Sequence, residues 1–320
     1  EWVLHYGEDG VYVSFSGGKD STVLLDIVRK LYPSIEAVFV DTGLEYPEIR
    51  KFAKTFDNVT ILRPEMRFDE VIKQYGYPFI SKNISRMIYD AKNGKNWAVQ
   101  AINGIRHGKF DQYRVDRFMK WKPLLDVDFN ISDRCCLIMK ETPCIEYGKH
   151  HHKVPFVGIM AEESERREEA WLKTGCNAFE TKEPKSKPIS FWTEQDVLQY
   201  IKQNNLPIAS VYGDIVYRDK LGMKYQEMLC DCGNKLCTTG CNRTGCIFCQ
   251  FGSHLVRKGE ESRLQMLKRT HPKQYEYCMG GGEYNEQGIW QPNSKGLGMK
   301  HCIDVINGIY GKDFIKYVIL

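Results

Sequence analysis

Short apolar runs alternate with amphipathic stretches through much of the chain. Val11-Tyr-Val-Ser-Phe15 has strand character, and Thr22-Val-Leu-Leu-Asp-Ile-Val28 continues with helical spacing. Ile35-Glu-Ala-Val-Phe-Val40 reads as a second buried strand, ending at Asp41-Thr-Gly-Leu-Glu45. Pro47 opens a helix running to about Thr55, and Asn58-Val-Thr-Ile-Leu62 is a third strand. Val154-Pro-Phe-Val-Gly-Ile159 resumes the sheet. Thr193 then caps a helix from Glu194 to Asn204, with Asp196 at the capping-box position. Strands alternating with helices predict an α/β fold with a doubly wound, mostly parallel sheet.

The turn between the first strand and its helix is Ser16-Gly-Gly-Lys-Asp-Ser21. A strand turning tightly into a helix N-terminus makes an anion site, because unpaired N–H groups and the positive dipole end converge there. Gly17 and Gly18 let the backbone approach a phosphate, Ser16 and Ser21 add hydroxyls, and Lys19 adds a cation. The Walker spacing is absent. In a parallel sheet, ligands sit beyond the C-terminal strand ends, where Ser16 would meet Asp41, Thr42 and Gly43. The plainer reading of Asp41 is a turn cap.

Ser-Gly-Gly-Lys-Asp-Ser resembles the PP-loop of the ATP-pyrophosphatase, or adenine nucleotide alpha-hydrolase-like, superfamily. That superfamily includes sulfonucleotide reductases, tRNA thiolation enzymes and phosphorothioation ATPases. The resemblance implies a loop that holds the phosphates of ATP or of an adenylyl-sulfate. The Asp-Thr-Gly at 41–43 and the Lys187-Pro-Ile and Trp192-Thr-Glu-x-Asp-Val succession are similar to the sulfonucleotide reductase, or PAPS reductase-like, branch. In that branch a strand followed by Glu-Ser-x-x-Arg places its backbone against adenine and its arginine against phosphate or sulfate. The resemblance therefore implies Gly158 at the base and Arg166 or Arg167 at the anion. The alternative is a solvated helix with pairs such as Glu162 with Arg166. The 194–204 helix is read as structural.

Composition narrows the class. With 320 residues, 42% hydrophobic and 27% charged, the chain suits a large α/β domain plus a smaller one. The expected division is 1–215 for nucleotide binding and 216–320 for a cysteine-rich C-terminal region. No run of 18 apolar residues suggests a membrane span, and a cytoplasmic location is expected. The net charge of +4 is mild, but residues 82–122 hold ten Lys or Arg against three Asp. Trp97, Tyr113, Phe118 and Trp121 are interleaved, which fits a helical basic insertion meeting DNA or tRNA. The alternative is an insertion whose aromatics pack onto the main domain.

Twelve cysteines in a long chain with a nucleotide loop point to metal or redox chemistry. Cys135 and Cys136 are adjacent, and Cys246-Ile-Phe-Cys249 is a CxxC. This arrangement resembles the [4Fe–4S] site of adenylylsulfate reductases, which implies Cys135, Cys136, Cys246 and Cys249 as ligands. Cys241 is the runner-up ligand. Zinc in the same place is an alternative, as is a separate zinc knuckle of Cys230, Cys232, Cys237 and Cys241. Cys278 is weighed as an accessible thiol against a plain surface or core cysteine. His254 and His271 read as surface positions, and His150-His-His152 as a solvated helix end.

Assimilatory reductases of this branch end in a Glu-Cys-Gly-Leu-His segment whose cysteine attacks the sulfonyl sulfur, and these 320 residues hold none. The expectation is therefore an ATP pyrophosphatase that adenylates a nucleic acid for sulfur incorporation, resembling the Fe–S component of DNA phosphorothioation systems. Lys19 and Asp20 would be catalytic with Mg²⁺, and a cysteine desulfurase would supply sulfur. Assembly as a homo- or hetero-oligomer fits that role. The alternatives are an APS/PAPS reductase with an unusual or partner-supplied thiol, and a non-catalytic nucleotide-binding subunit.

Overall fold

Along Val11–Ser14, Val11 and Val13 enter one hydrophobic cluster while Tyr12 enters another, so this strand is buried on both faces. That double burial is what a parallel sheet with helices on each side requires. A computed structural model describes residues 1–218, 224–225, 235–257 and 259–317. The residues fall into two compact units, 1–64 with 141–246, and 65–140 with 247–320. Both units are discontinuous in sequence, unlike the contiguous 1–215 and 216–320 division expected above.

The first unit carries a six-stranded sheet. Val59–Leu62, Ala37–Val40, Val11–Ser14, Val154–Val157 and Lys185–Ser186 run parallel in that spatial order. Asn177–Ala178 pairs antiparallel at the edge. The register sets Val13 beside Ala37 and Phe156, and Phe39 beside Ile61. On one face Val23, Leu24 and Val28 of the Lys19–Leu31 helix and Val197 and Ile201 of the Glu194–Gln203 helix share one cluster with Val11, Val13 and Phe39. On the other, Tyr147 of the Thr142–His151 helix packs with Tyr12 and Val38. The expected doubly wound α/β architecture is present. The elements run slightly shorter than their apolar patterns, as at Pro47–Ala53 and Glu194–Gln203. Fraying ends and turn geometry claim the last residues.

The second unit takes in the basic stretch 82–122. It comprises helices Lys82–Lys92, Asn96–Ile102 and Gln112–Phe118 and a 3₁₀ turn Met119–Leu125. A small hairpin, Ile105–Arg106 with Lys109–Phe110, interrupts the helices. His107 and Gly108 both take positive φ there, the geometry that a two-residue hairpin turn needs. The helix Met299–Tyr310 buries Met299, Cys302, Ile303 and Ile306. His254, expected at the surface, lies half-buried against Trp121 and Phe314, at ring-centre distances of 5.6 and 5.3 Å. The 150–152 histidines are exposed at a helix end, His152 forming its left-handed cap.

Candidate active site

Gly17 has φ +70°, and a Cβ added there would lie 2.9 Å from Ile49 Cγ2. Glycine is needed at this position both for the turn and for the close approach. The loop is wired from within. The Ser16 N–H donates to Ser21 Oγ at 3.1 Å, and the two hydroxyls lie 3.0 Å apart. Ser21 and Thr22 hydroxyls both donate to the Gly18 carbonyl at 2.9 Å. The Lys19 N–H at the helix start donates to the hydroxyl of Tyr212, 193 positions away, at 3.1 Å. Tyr212 is itself 2.6 Å from Thr244 Oγ1. The serine hydroxyls expected to be phosphate donors are thus shaping the loop in this state, and Tyr212 occupies one orphan amide of the helix end.

Lys19 is only 2% exposed. Its ammonium lies 3.4 Å from Asp20 Oδ1 and 3.2 Å from Glu194 Oε1. Burial alone would push its pKa down, but Asp20, Glu194 and Tyr212 outweigh that and hold it above the ordinary lysine value. Asp20 Oδ1 is buried and makes no hydrogen bond. What faces that oxygen is the Lys19 ammonium, a charge contact without a hydrogen bond.

Glu162 and Glu163 sit in the 3₁₀ turn after the Val154–Val157 strand. Glu162 accepts the N–H of Glu194 and so ties this turn to the helix that supplies Lys19 with its partner. Glu163 is gripped by two guanidiniums, those of Arg167 and Arg243. The Arg167 pKa is lowered, by burial first and by the charge of Arg243 second, with Asp20 opposing. Arg167, Arg243 and Asp20 therefore share one electrostatic neighbourhood. Arg166 is exposed, and the i,i+4 ion pair of this segment joins Glu163 with Arg167, not the Glu162–Arg166 pair named in the alternative reading.

Asp41, Thr42 and Gly43 stand at the end of the neighbouring strand, where the topology predicted them. Asp41 is 5% exposed and receives Arg50 through both oxygens, at 2.7 and 2.8 Å. It also accepts the Gly43 N–H at 3.3 Å, so the turn-cap reading describes its role here. Burial would raise its pKa, but Arg50 and the Gly43 amide bring it below the usual carboxylate value. Thr42 donates its hydroxyl to Glu45. Gly158 faces the loop helix so closely that an added Cβ would lie 3.3 Å from Asp20 O and from Ser21 N. Its missing side chain lets the strand end seat against the helix start.

Sequence reasoning missed Glu194, Tyr212, Arg243 and Thr244. The helix holding Glu194 was read as structural, and its capping box is indeed formed by Thr193 and Asp196. Yet the residue between cap and box is the one that meets Lys19. A cavity of about 180 Å³ borders Glu194, with Arg218, Thr238 and Asn242 in its wall. Arg218 Nε is buried there without a hydrogen-bond partner.

Cys135, Cys136 and Cys249 belong to the second unit, and Cys246 ends the first. One strand segment organises the chain around the first three. The Tyr77 N–H donates to Asn130 O at 2.8 Å, and Ser132 N–H to Tyr77 O at 3.0 Å. On Phe79–Ile80, Gln250 and Gly252 N–H groups donate to Pro78 O and Ile80 O at 3.3 and 2.8 Å. The vicinal pair starts three residues after Ser132, and Cys249 immediately precedes Gln250. Cys246 is three positions from Cys249, a reach of at most about 11 Å. The pair ends a short helix that passes into a π-helical turn, Leu137–Glu141, a geometry frequent at functional sites. Among the described residues no group of three or more His, Cys, Asp or Glu side chains is gathered as a ready metal site. Cys230 and Cys232 of the zinc-knuckle alternative lie outside the described residues.

A strand–glycine loop–helix with a buried lysine at the C-terminal edge of a parallel sheet defines a nucleotide-binding α/β protein. Residues 10–81 and 100–250 match the family model described as the phosphoadenosine phosphosulfate reductase domain, and the chain belongs to that family. It is 24% identical over 208 residues to a phosphoadenosine 5'-phosphosulfate reductase of Xylella fastidiosa, covering 64% of this chain and 68% of that protein. It is 23% identical over 222 residues to an adenosine 5'-phosphosulfate reductase of Bacillus anthracis, covering 68% and 75%. Among solved structures, a phosphoadenylyl-sulfate reductase from Candida auris in a phosphate complex aligns with a TM-score of 0.36 and 16% identity, over 71% of this chain and 88% of that one. No described helix is long and apolar enough to cross a membrane.

Proposed function

We propose that this member of the family is an ATP pyrophosphatase that adenylates a nucleic acid, DNA backbone or tRNA, and so prepares it for sulfur incorporation, as in phosphorothioation systems. The observation that carries the nucleotide part is Lys19: a cation 2% exposed, fixed by two carboxylates at a helix start. Such preorganised charge stabilises a phosphate oxygen as negative charge builds on it. Glu163, held between two arginines, marks where an anion is welcome. Gly158 packs against the start of the loop helix, and contact with the adenine base is its proposed role.

In the proposed reaction an oxygen of the acceptor attacks the α-phosphorus of ATP. The bond to the bridging oxygen breaks, and pyrophosphate leaves with the electron pair. The adenylated oxygen later departs with AMP when the outer sulfur of a persulfide formed by a cysteine desulfurase attacks in its place, and an external dithiol then reduces the resulting disulfide, leaving the sulfur on the acceptor. Asp20 would hold a Mg²⁺ ion as a carboxylate beside the loop, its buried Oδ1 already facing the Lys19 ammonium at 3.4 Å, and the ion would supply charge neutralisation on the phosphates. Cys135, Cys136, Cys246 and Cys249, with Cys241 as runner-up, are the proposed ligands of a [4Fe–4S] cluster, which would supply sulfur relay or hold the segments together; what supports it is the chemistry of four thiolates, which would also accept zinc, since the described side chains are not gathered into a metal site. Such chemistry belongs in the cytoplasm.

Within these 320 residues the two cysteines after the CxxC do not offer the reactive thiol that reduction of an adenylyl-sulfate needs. Cys278 and Cys302 are fully buried, and burial pushes both thiols up, away from the nucleophilic thiolate. Cys278 is the plain core cysteine of the two readings weighed above. The relatives' names keep sulfonucleotide reduction as the second reading. The test is one assay with two substrates. Pyrophosphate released from ATP and stimulated by DNA or tRNA is the expected result; sulfite released from adenylyl-sulfate with thioredoxin would overturn it. For the cluster, iron content should fall in a Cys246→Ser, Cys249→Ser variant, and unchanged iron would refute the ligand assignment.

A further inference from the structure

The helix Gln112–Phe118 contains no buried residue. A helix that buries no face gains little from tertiary packing, so its position must come from other ties. Those ties are polar and local. Asp111 caps it through the Arg114 N–H at 2.9 Å, and the Asp111 N–H reaches Gly104 O at 2.9 Å. Arg114 Nη1 donates back to the Ile105 carbonyl of the hairpin at 2.6 Å. Val115 rests against Gly104 so closely that a Cβ there would lie 2.6 Å from Val115 Cγ2. Hairpin and helix are thus fixed to each other while their outward side chains stay uncovered.

Those side chains are aromatic and basic. Phe110 is 73% exposed, Tyr113 60% and Trp97 45%. Arg117 lies over the Tyr113 ring, 5.3 Å from its centre. From Arg106 to Lys122 there are six Lys or Arg against two Asp, and one of those, Asp111, caps the helix with one oxygen and lies 3.9 Å from Arg106 with the other. By contrast Trp121, expected among the interleaved aromatics, is buried against Tyr310 and Phe314 and takes no part. Exposed rings beside an excess of cations suit a polyanion whose own rings are free to stack. That description fits a single-stranded nucleic acid; in a duplex the bases already stack on each other.

Resting on the nucleic-acid reading of the activity, we propose that Phe110 and Tyr113 form a stacking platform for unpaired bases, flanked by Arg106, Lys109 and Arg117 as phosphate contacts. The platform would hold the acceptor strand as single-stranded DNA or RNA. Fluorescence anisotropy tests this with a labelled 20-nucleotide DNA, the matching RNA and the matching DNA duplex. The full chain is compared with a Phe110→Ala, Tyr113→Ala variant and an Arg106→Gln, Lys109→Gln variant. The aromatic variant should bind the single strand roughly tenfold or more weakly, with its dependence on salt unchanged. The basic variant should bind more weakly with a shallower salt dependence. The DNA and RNA arms show which strand is preferred. Both variants should keep the wild-type melting temperature, since the altered side chains are exposed. Undiminished single-strand binding by the aromatic variant overturns the platform and leaves the nucleic-acid reading standing. Tighter binding of the duplex overturns the single-strand assignment. A wild-type chain that binds none of the three overturns platform and acceptor reading together.

Discussion

Lys19 and Arg117 each present a cation, yet their surroundings are opposite. Lys19 is 2% exposed between Asp20 and Glu194, on a helix that opens against the central sheet. Arg117 lies over an exposed tyrosine, on a helix with nothing buried. Around the loop, each hydroxyl has a partner and the hydrogen bonds reach residues 193 positions away. Around Arg117 the ties span a few residues. A buried charge is costly to place and, once placed, fixed in direction; an exposed one is cheap, screened by salt and free to adapt. The first suits a reacting phosphate at one spot, the second a long chain of similar phosphates.

The largest expected effect follows from removing the buried cation. Lys19→Met keeps the volume and deletes the charge. Pyrophosphate release should fall by about 10²- to 10³-fold in kcat, the range seen when one preorganised charge-stabilising donor is lost. Asp20 and Glu194 would then face each other without a counterion, so the melting temperature should also fall. Retention of activity within about threefold would remove Lys19 from the chemistry and erase the contrast with Arg117.

The next effect is on stability. Arg50→Ala leaves Asp41, 5% exposed, without its guanidinium. Breaking a buried pair from one side costs about 3–5 kcal/mol, and Arg50's partial exposure brings the expectation to about 2–3 kcal/mol. The pH dependence supplies a sign. In the wild type the folded-state pKa of Asp41 is lowered, so its contribution is present above the unfolded value and lost as pH falls through the folded one. In the variant only the Gly43 amide and the charge of Lys54 still oppose burial, so that pKa rises above its wild-type value. The difference in stability between the two proteins, measured by denaturant melts, should therefore shrink as pH falls from 7 toward 4. A constant difference would mean that Asp41 is not the group left exposed to burial.

Tyr212→Phe is a smaller change with a sharper meaning. It removes the acceptor for the Lys19 N–H and the partner of Thr244, leaving a helix-start amide unsatisfied. The cost should be about 1–2 kcal/mol of stability without nucleotide. If a phosphate oxygen takes over that amide, ATP should recover much of the loss. A thermal-shift titration with ATP checks this: the variant should gain more from saturating ATP than the wild type. Equal gains would mean that the amide stays with Tyr212 throughout.

What the sequence made legible divides along the same line. The loop, its strand and its helix were readable because apolar spacing and a glycine pair are local signals, and the strand ends put Asp41 nearby. The partners of Lys19 were not readable. Glu194 is hidden in a good capping box, and Tyr212 and Thr244 reach the loop only through tertiary structure. Arg243 carries a trace of a signal, standing just before the CxxC, but nothing in its spacing names Glu163 as its partner. The hairpin escaped because its strands are two residues long and lie among helical patterns. The interleaved aromatics were readable as a set but not divisible. Burial alone separates Trp121 from Tyr113.

The smallest expected effect is the one that tests that separation. Phe110→Ser with Tyr113→Ser removes two large rings, and in a core such losses would cost several kcal/mol. Here both rings are more than half exposed, and the helix that carries Tyr113 buries nothing. The expected change in unfolding free energy is within about 0.5 kcal/mol, the ordinary range for surface positions. Trp121→Ser, at the same distance from the basic residues in sequence terms but packed on Tyr310, should cost about 3–5 kcal/mol. Chemical denaturation of the two variants side by side measures the contrast directly. If the double variant were destabilised like the tryptophan variant, the rings would be holding the fold together. The exposed cations beside them would then be a solvated rim, with no platform to serve.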